Sequence, residues 1–397
     1  MTLSRYRKTA KETVLTANSI GVAETGPRVK HGFKIPLMRP VVDEEMLQAA
    51  VYSLQNEKLV MGESVFKFEE EFARYCGSRY AVSTGSGTAA LQIALQSMQI
   101  GPNDEVMTTP FSFFATSNAV IHAGAQPRFA DVEDNGFNLD PSKVEAKLTP
   151  KTRVIIPVHL YGQPARMNEF RDLVEGKGIS IVEDACQAHG AEYEGRRVGS
   201  IGDTACFSFY TSKNMTVCGD GGMIVTNDED VADAARSFRD CGRASKYTMS
   251  RIGYTSRLNT VNAAIGRVQL RKLDGWNKTR RRIADLYRRT LEGAQGITLP
   301  PTETPKETPV YHLFVVRSER RDELASYLEK NGVEAAIHYP VPIHLQVPYR
   351  AEYGYSEGSF PMAEKLAGQV LSLPIHASIT EEEVLTVCRL VRASTTE

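Results

Sequence analysis

Between Tyr80 and Thr226 the chain alternates short apolar runs with longer helical patterns, and this alternation constrains the fold more than any other feature. Tyr80-Ala81-Val82-Ser83 reads as a strand, Gly85-Ser86-Gly87-Thr88 as a turn, and Ala89 to Met98 as a helix. Strand-length runs recur near Glu105–Thr108, Gln126–Ala130, Arg153–Val158 and Ile179–Val182, separated by helical stretches. Such β–α alternation predicts an α/β domain built on a largely parallel sheet. Strands near Ala205–Phe209 and Gly222–Thr226 extend it.

The flanks add a second body. Upstream, Ser64 is placed to cap a helix whose Phe66, Phe68 and Phe72 lie among acidic residues. Downstream, a proline-free helical pattern runs from Asn259 to about Arg289 and turns Ile265, Val268, Leu270, Leu273 and Trp276 toward something buried. A Pro-rich stretch from Leu299 to Pro309 reads as a linker. Beyond it, Val310–Val316 and helices over Asp322–Asn331 and Glu381–Arg392 predict a smaller α+β domain. The expected division is an N-terminal arm (1–34), a large α/β domain (35–275) and a small C-terminal α+β domain (276–397).

Composition narrows the class by exclusion. With 47 Lys and Arg against 48 Asp and Glu, the formal charge of −1 lacks the basic excess expected for nucleic-acid binding. The longest apolar runs, such as Val154 to Val158, are far below the roughly 20 residues of a membrane helix. The polar residues 1–33 have no apolar signal core. Six scattered cysteines without a CxxC pair read as buried reduced thiols of a cytoplasmic protein.

Three segments carry chemistry. Thr84-Gly85-Ser86-Gly87-Thr88, between a strand and a helix, is either an anion cradle of backbone N–H groups or simply a tight turn. It is not a P-loop, because no Lys follows the glycines. Asp184, in Glu183-Asp184-Ala185-Cys186-Gln187-Ala188-His189, sits where ligands bind in open α/β sheets, or else caps the next helix. His189 reads as a structural, neutral imidazole. Lys213 ends the apolar run Phe207-Ser208-Phe209, and partial desolvation there would disfavour its charge and free the amine. An anion cradle, a carboxylate and an amine in one α/β domain are the parts a pyridoxal phosphate site requires.

These segments, with Pro110-Phe111-Ser112-Phe113-Phe114-Ala115-Thr116, Pro157 to Pro164, Ser256-Arg257-Leu258 and His338 to Gln346, occur in one order. In that order the chain resembles the DegT/DnrJ/EryC1/StrS sugar aminotransferases, fold type I pyridoxal phosphate enzymes. The resemblance runs from about Ile35 to Val387. It implies Lys213 as the Schiff-base lysine, Asp184 as partner of the pyridinium nitrogen and Gln187 against the phenolic oxygen. Ser208, Gly87 and Thr88 would hold the phosphate, and Phe113 would stack on the ring unless it is a core residue. Arg257, Tyr339 and His344 are implied in the substrate region.

Relatives often carry Asn just before Ser-Arg-Leu, reaching the phosphate from the neighbouring subunit; here Thr255 stands there, able to donate one hydrogen bond. That feature implies a homodimer with active sites at its interface. The implied reaction moves an amino group from glutamate to a nucleotide-linked keto-sugar, with C3 favoured by Gln187 and the His-Tyr-Pro-x-Pro-x-His-Leu-Gln run. Amination at C4 (perosamine-type) and a non-catalytic regulatory relative are the alternatives. Lys213 argues against the dehydratases, which carry histidine there.

Overall fold

The computed structural model describes residues 32–394. The sequence-predicted arm therefore lies, up to residue 31, outside the described residues. Seven apolar runs form the central sheet: β1 (Tyr80–Thr84), β2 (Glu105–Thr108), β3 (Gln126–Phe129), β4 (Thr152–Ile155), β5 (Ser180–Asp184), β6 (Thr204–Ser208) and β7 (Gly222–Thr226). Their order is β1-β7-β6-β5-β4-β2-β3, and only β7 runs against its two neighbours. The β7 residues are buried throughout, as a strand covered on both faces must be. The mostly parallel sheet and its α/β class are those expected from the alternation.

Helices flank the sheet. The helices α1 (Glu44–Asn56) and α2 (Glu63–Cys76) precede β1; α3 (Gly87–Ser97) follows it, and α4 (Ala115–His122) follows β2. In α2 the buried Val65, Phe68 and Phe72 lie three and four residues apart and pack on Phe207 and Phe209 of the β6 region. The helix begins two residues earlier than Ser64 as its cap would have it. Gly62 is the N-cap, and a Cβ there would meet the Lys58 carbonyl oxygen at 2.4 Å. Ser64 instead gives its hydroxyl to Glu57 at 2.6 Å.

After β7 come α5 (Glu229–Arg239) and the 32-residue α6 (Thr260–Leu291). The first half of α6 sends Ala263, Leu270 and Leu273 into the core shared with α2. Its second half sends Ile283, Ala284, Tyr287 and Leu291 into another core, with the antiparallel pair Phe314–Arg317 and Val370–Leu373 and the helices Arg321–Lys330 and Glu381–Ser394. Ile35 belongs to that second core and pairs with Val333, so the chain's first described residues pack with its last third. No helix among the described residues is long and apolar enough to cross a membrane.

Candidate active site

The parallel strands end on one side of the sheet, and their C-terminal turns surround a cavity of about 490 Å3. β1 delivers the Gly85–Thr88 turn, β2 the Ser112–Thr116 segment, β5 Asp184 to Gln187, and β6 Ser208 to Lys213. Ligands bind at the carboxyl ends of strands in open α/β sheets for this topological reason.

At the β1 turn, Ser86 caps α3 by accepting the Ala89 N–H at 3.1 Å, which leaves Gly87 and Thr88 in the helix's first turn at the cavity wall. Gly87 has no room for a side chain: a Cβ would lie 2.7 Å from Ser208 Cβ and 2.9 Å from Cys186 Sγ. Backbone is pressed into this corner, beside a serine hydroxyl and with the positive end of the α3 dipole. A phosphate fits such a corner.

Asp184 closes β5 and is buried, but it caps no helix. Its Oδ2 accepts the Thr116 hydroxyl at 2.7 Å and its Oδ1 the Cys186 N–H at 3.2 Å. Ser112 and Thr116 hydroxyls are 2.8 Å apart. Gln187 is oriented by its neighbours. Its Oε1 accepts the Tyr161 N–H at 2.9 Å, so its Nε2 points the other way and donates to the Tyr339 hydroxyl at 3.3 Å. Gln187 therefore offers a donor rather than an acceptor to this wall of the cavity.

Lys213 lines the same cavity, its backbone N–H held by the Tyr210 carbonyl at 2.8 Å. Burial pushes its ammonium pKa down, with Cys186 and Asp184 opposing, so a larger share of the amine is neutral than for a solvated lysine. The imidazoles near it are also held neutral. Burial and Lys213 push His189 to about 3 and His338 to about 4, and burial with Lys213 and Arg280 lowers His312 well below the usual range. His189 lies against Phe207 and Phe209, 5.3 and 5.7 Å between ring centres, in keeping with a structural histidine. Phe113 is not a core residue. It is 57% exposed at the cavity and tilts against Tyr339, 5.9 Å between ring centres.

Eight of the sequence-predicted residues thus share one cavity: Gly87, Thr88, Phe113, Asp184, Gln187, Ser208, Lys213 and Tyr339. Three do not line it. Thr255 is exposed, 3.2 Å from Cys241 Sγ, on a segment paired with Asp240. Arg257 is paired with Asp240 at 2.7 Å. His344 is fully buried elsewhere, its Nε2 3.0 Å from Glu364 and its ring against Phe360. Sequence reasoning assigned no role to Ser112, Thr116, His312 or His338, all of which line the cavity. Ser112 and Thr116 carried a signal, polar residues at i and i+4 inside an aromatic motif; His312 carried none. Among the described residues no cluster of His, Cys, Asp and Glu is placed to hold a metal ion.

Comparison with known proteins agrees with this geometry. Residues 40–392 match the DegT/DnrJ/EryC1/StrS aminotransferase family. A dTDP-3-amino-3,4,6-trideoxy-alpha-D-glucose transaminase of Streptomyces venezuelae is 45% identical over 85% of this chain and 89% of its own length. A pleiotropic regulatory protein of Geobacillus stearothermophilus is 42% identical, over 85% and 91%. The crystal structure of S. venezuelae DesV in complex with a ketimine intermediate superposes with a TM-score of 0.88 at 42% identity, covering 91% of this chain and 99% of that one. The chain is a member of the DegT/DnrJ/EryC1/StrS aminotransferase family.

Proposed function

We propose that this enzyme uses pyridoxal 5′-phosphate to move an amino group from glutamate to C3 of a nucleotide-linked keto-sugar. The observation that carries the reading is the convergence on one cavity of the Lys213 amine, the Asp184 carboxylate, the Gln187 amide and the Gly87–Ser208 corner. When bound, pyridoxal phosphate supplies a carbon that condenses with amines and a ring that takes up the electron pair left by a broken C–H bond. The protein's share is binding, orientation and proton movement. Gly87, Thr88 and Ser208 would hold the phosphate, Asp184 would face the ring nitrogen, and Gln187 Nε2 would donate to the phenolic oxygen. Lys213, neutral more often than a solvated lysine, would hold the cofactor's reactive carbon and take up and return a proton at its Nζ. Phe113 and Tyr339, tilted against each other, present an aromatic wall to the cavity.

A C3 acceptor is supported by the name of the S. venezuelae relative, which carries its amino group at that carbon. We further propose a homodimer. α1 and its continuation expose Leu47, Val51, Tyr52, Leu54, Leu59, Val60 and Phe66, and Ile252 is 93% exposed on the segment leading to Thr255. A second copy covering this apolar face would bring Thr255 and Arg257 to the partner's cavity. We place the boundary between a large and a small domain near residue 275, inside α6, because the two halves of that helix serve different cores. Six unpaired thiols suit the cytoplasm.

The test is direct. The purified protein should show a cofactor absorbance band that Lys213→Ala abolishes. With glutamate it should aminate a 3-keto nucleotide sugar, the product being assigned by NMR. Preferential turnover of the 4-keto isomer would overturn the C3 assignment. A wild-type protein that binds no pyridoxal phosphate would favour a regulatory role like that named for the Geobacillus relative.

A further inference from the structure

The hydroxyls of Ser112 and Thr116 form a chain whose direction can be worked out. An ionised carboxylate only accepts hydrogen bonds, so at 2.7 Å the Thr116 O–H donates to Asp184 Oδ2. Its single proton is then committed, and at 2.8 Å from Ser112 the Thr116 oxygen must accept. Ser112 therefore donates to Thr116, which donates to Asp184. All three residues are buried, at 4%, 1% and 4% exposure, where hydrogen bonds are strong and each polarises the next. Both hydroxyl residues also line the cavity. The other oxygen, Oδ1, has the backbone N–H of Cys186, which no side-chain substitution removes.

We propose that Thr116, backed by Ser112, is a positioning residue that aims the Asp184 carboxylate toward the cofactor ring. This rests on the reading of Asp184 as partner of the ring nitrogen. Without the Thr116 hydroxyl, Oδ2 loses the side-chain donor that fixes its direction. The branched threonine suits the task. Its hydroxyl is set by a stiff χ1, and its own N–H is tied to the Phe113 carbonyl at 3.1 Å, in the first turn of α4.

The experiment compares full-length wild type, Thr116→Val, Thr116→Ser, Ser112→Ala and Asp184→Asn. For each, pyridoxal phosphate is titrated into the apo protein, the absorbance of the bound cofactor is followed against pH, and the glutamate half-reaction is timed. A hydrogen bond to a charged group has a worth that translates to about tenfold or more. Thr116→Val should slow the half-reaction about tenfold, weaken cofactor binding and move the absorbance pH profile, leaving the KM for glutamate near wild type. Thr116→Ser should recover most of the loss, and Ser112→Ala should show a smaller change in the same direction. Equal damage from Val and Ser would make Thr116 a packing residue and overturn the proposal. If Thr116→Val does not fold, Thr116→Ala is compared with Thr116→Ser by the same criteria. An impaired Asp184→Asn beside a wild-type-like Thr116→Val overturns the hydroxyl chain alone. An unimpaired Asp184→Asn overturns the assignment of Asp184 itself.

Discussion

Glu183, the residue before Asp184, is fully buried and accepts four N–H donors. His159 Nε2 and Gly199 N reach Oε2, both at 3.0 Å, while Ile201 N at 2.9 Å and Gly202 N at 2.7 Å reach Oε1. His159 Nδ1 accepts the Ala165 N–H at 2.9 Å, so its proton must sit on Nε2. Glu183→Gln keeps the shape but puts an NH2 where an acceptor stood. Whichever way the amide turns, it confronts two donors, so two hydrogen bonds to a charged group are lost, at about 1.5–3 kcal/mol each. The resulting loss is about 3–6 kcal/mol. Unfolding entropy of about 2.1 cal/mol/K per residue over 397 residues converts this to a melting temperature lower by about 4–7 °C. Burial pushes the Glu183 carboxyl up, but the His159 ring N–H and the Gly199 and Gly202 amides bring it below the usual range. Its stabilisation is therefore complete above the ordinary carboxylate value, about 4.3, and fades as pH falls through the lower folded value. Scanning calorimetry at several pH values should show a constant gap between wild type and variant from neutral pH to about 5, closing in acid. A gap absent at pH 7, or undiminished in strong acid, would refute the reasoning.

Three other outcomes are expected. Gly87→Val, whose Cβ would meet Ser208 and Cys186 at 2.7 and 2.9 Å, should weaken pyridoxal phosphate binding by the apo protein about tenfold or more, by absorbance titration. Val51→Asp combined with Tyr52→Asp, both on the exposed face of α1, should shift the protein to monomer in light scattering and reduce cofactor affinity with it. His344→Ala removes the bond to Glu364 and the ring contact with Phe360, and should destabilise by about 2–4 kcal/mol in urea unfolding. The KM for the sugar should stay near wild type. A selective rise in that KM would return His344 to the substrate region.

Most of the sheet was legible because hydrophobic period is a local property. Val82, Val106, Val154, Val182 and Ile224 sit in short apolar runs bounded by turn residues, and each run became a strand within a few residues of its expected ends. Lys213, Asp184, Gln187 and Gly87 were legible for a related reason. Each lies at the end of a strand or in the segment that follows it, and parallel strands bring all such segments to one side. Where the chain alone says least, the deciding neighbour is remote. Ile35 was grouped with the large domain, yet its backbone bonds to Gly332 and Glu334. His344 sat in a motif of polar and aromatic residues, but Glu364 and Phe360 decide that it is buried.

The same contrast governs the site itself. A motif records which side chains are consecutive, and so can nominate a carboxylate at the end of a strand. It does not record which way the carboxylate faces. The direction of Asp184 is set by the Thr116 hydroxyl, 68 residues away, and by Cys186 N–H beside it. The direction of Gln187 is set by the Tyr161 N–H, 26 residues away, and by Tyr339, 152 residues away. A functional group is thus supplied by a local motif, but its orientation is supplied by the crossover connections that fold distant turns against it. Substitution of the Thr116 hydroxyl should then alter chemistry while Asp184 and Gln187 stand unchanged, which is how the orienting half of the site can be separated by experiment from the half that reads directly from the chain.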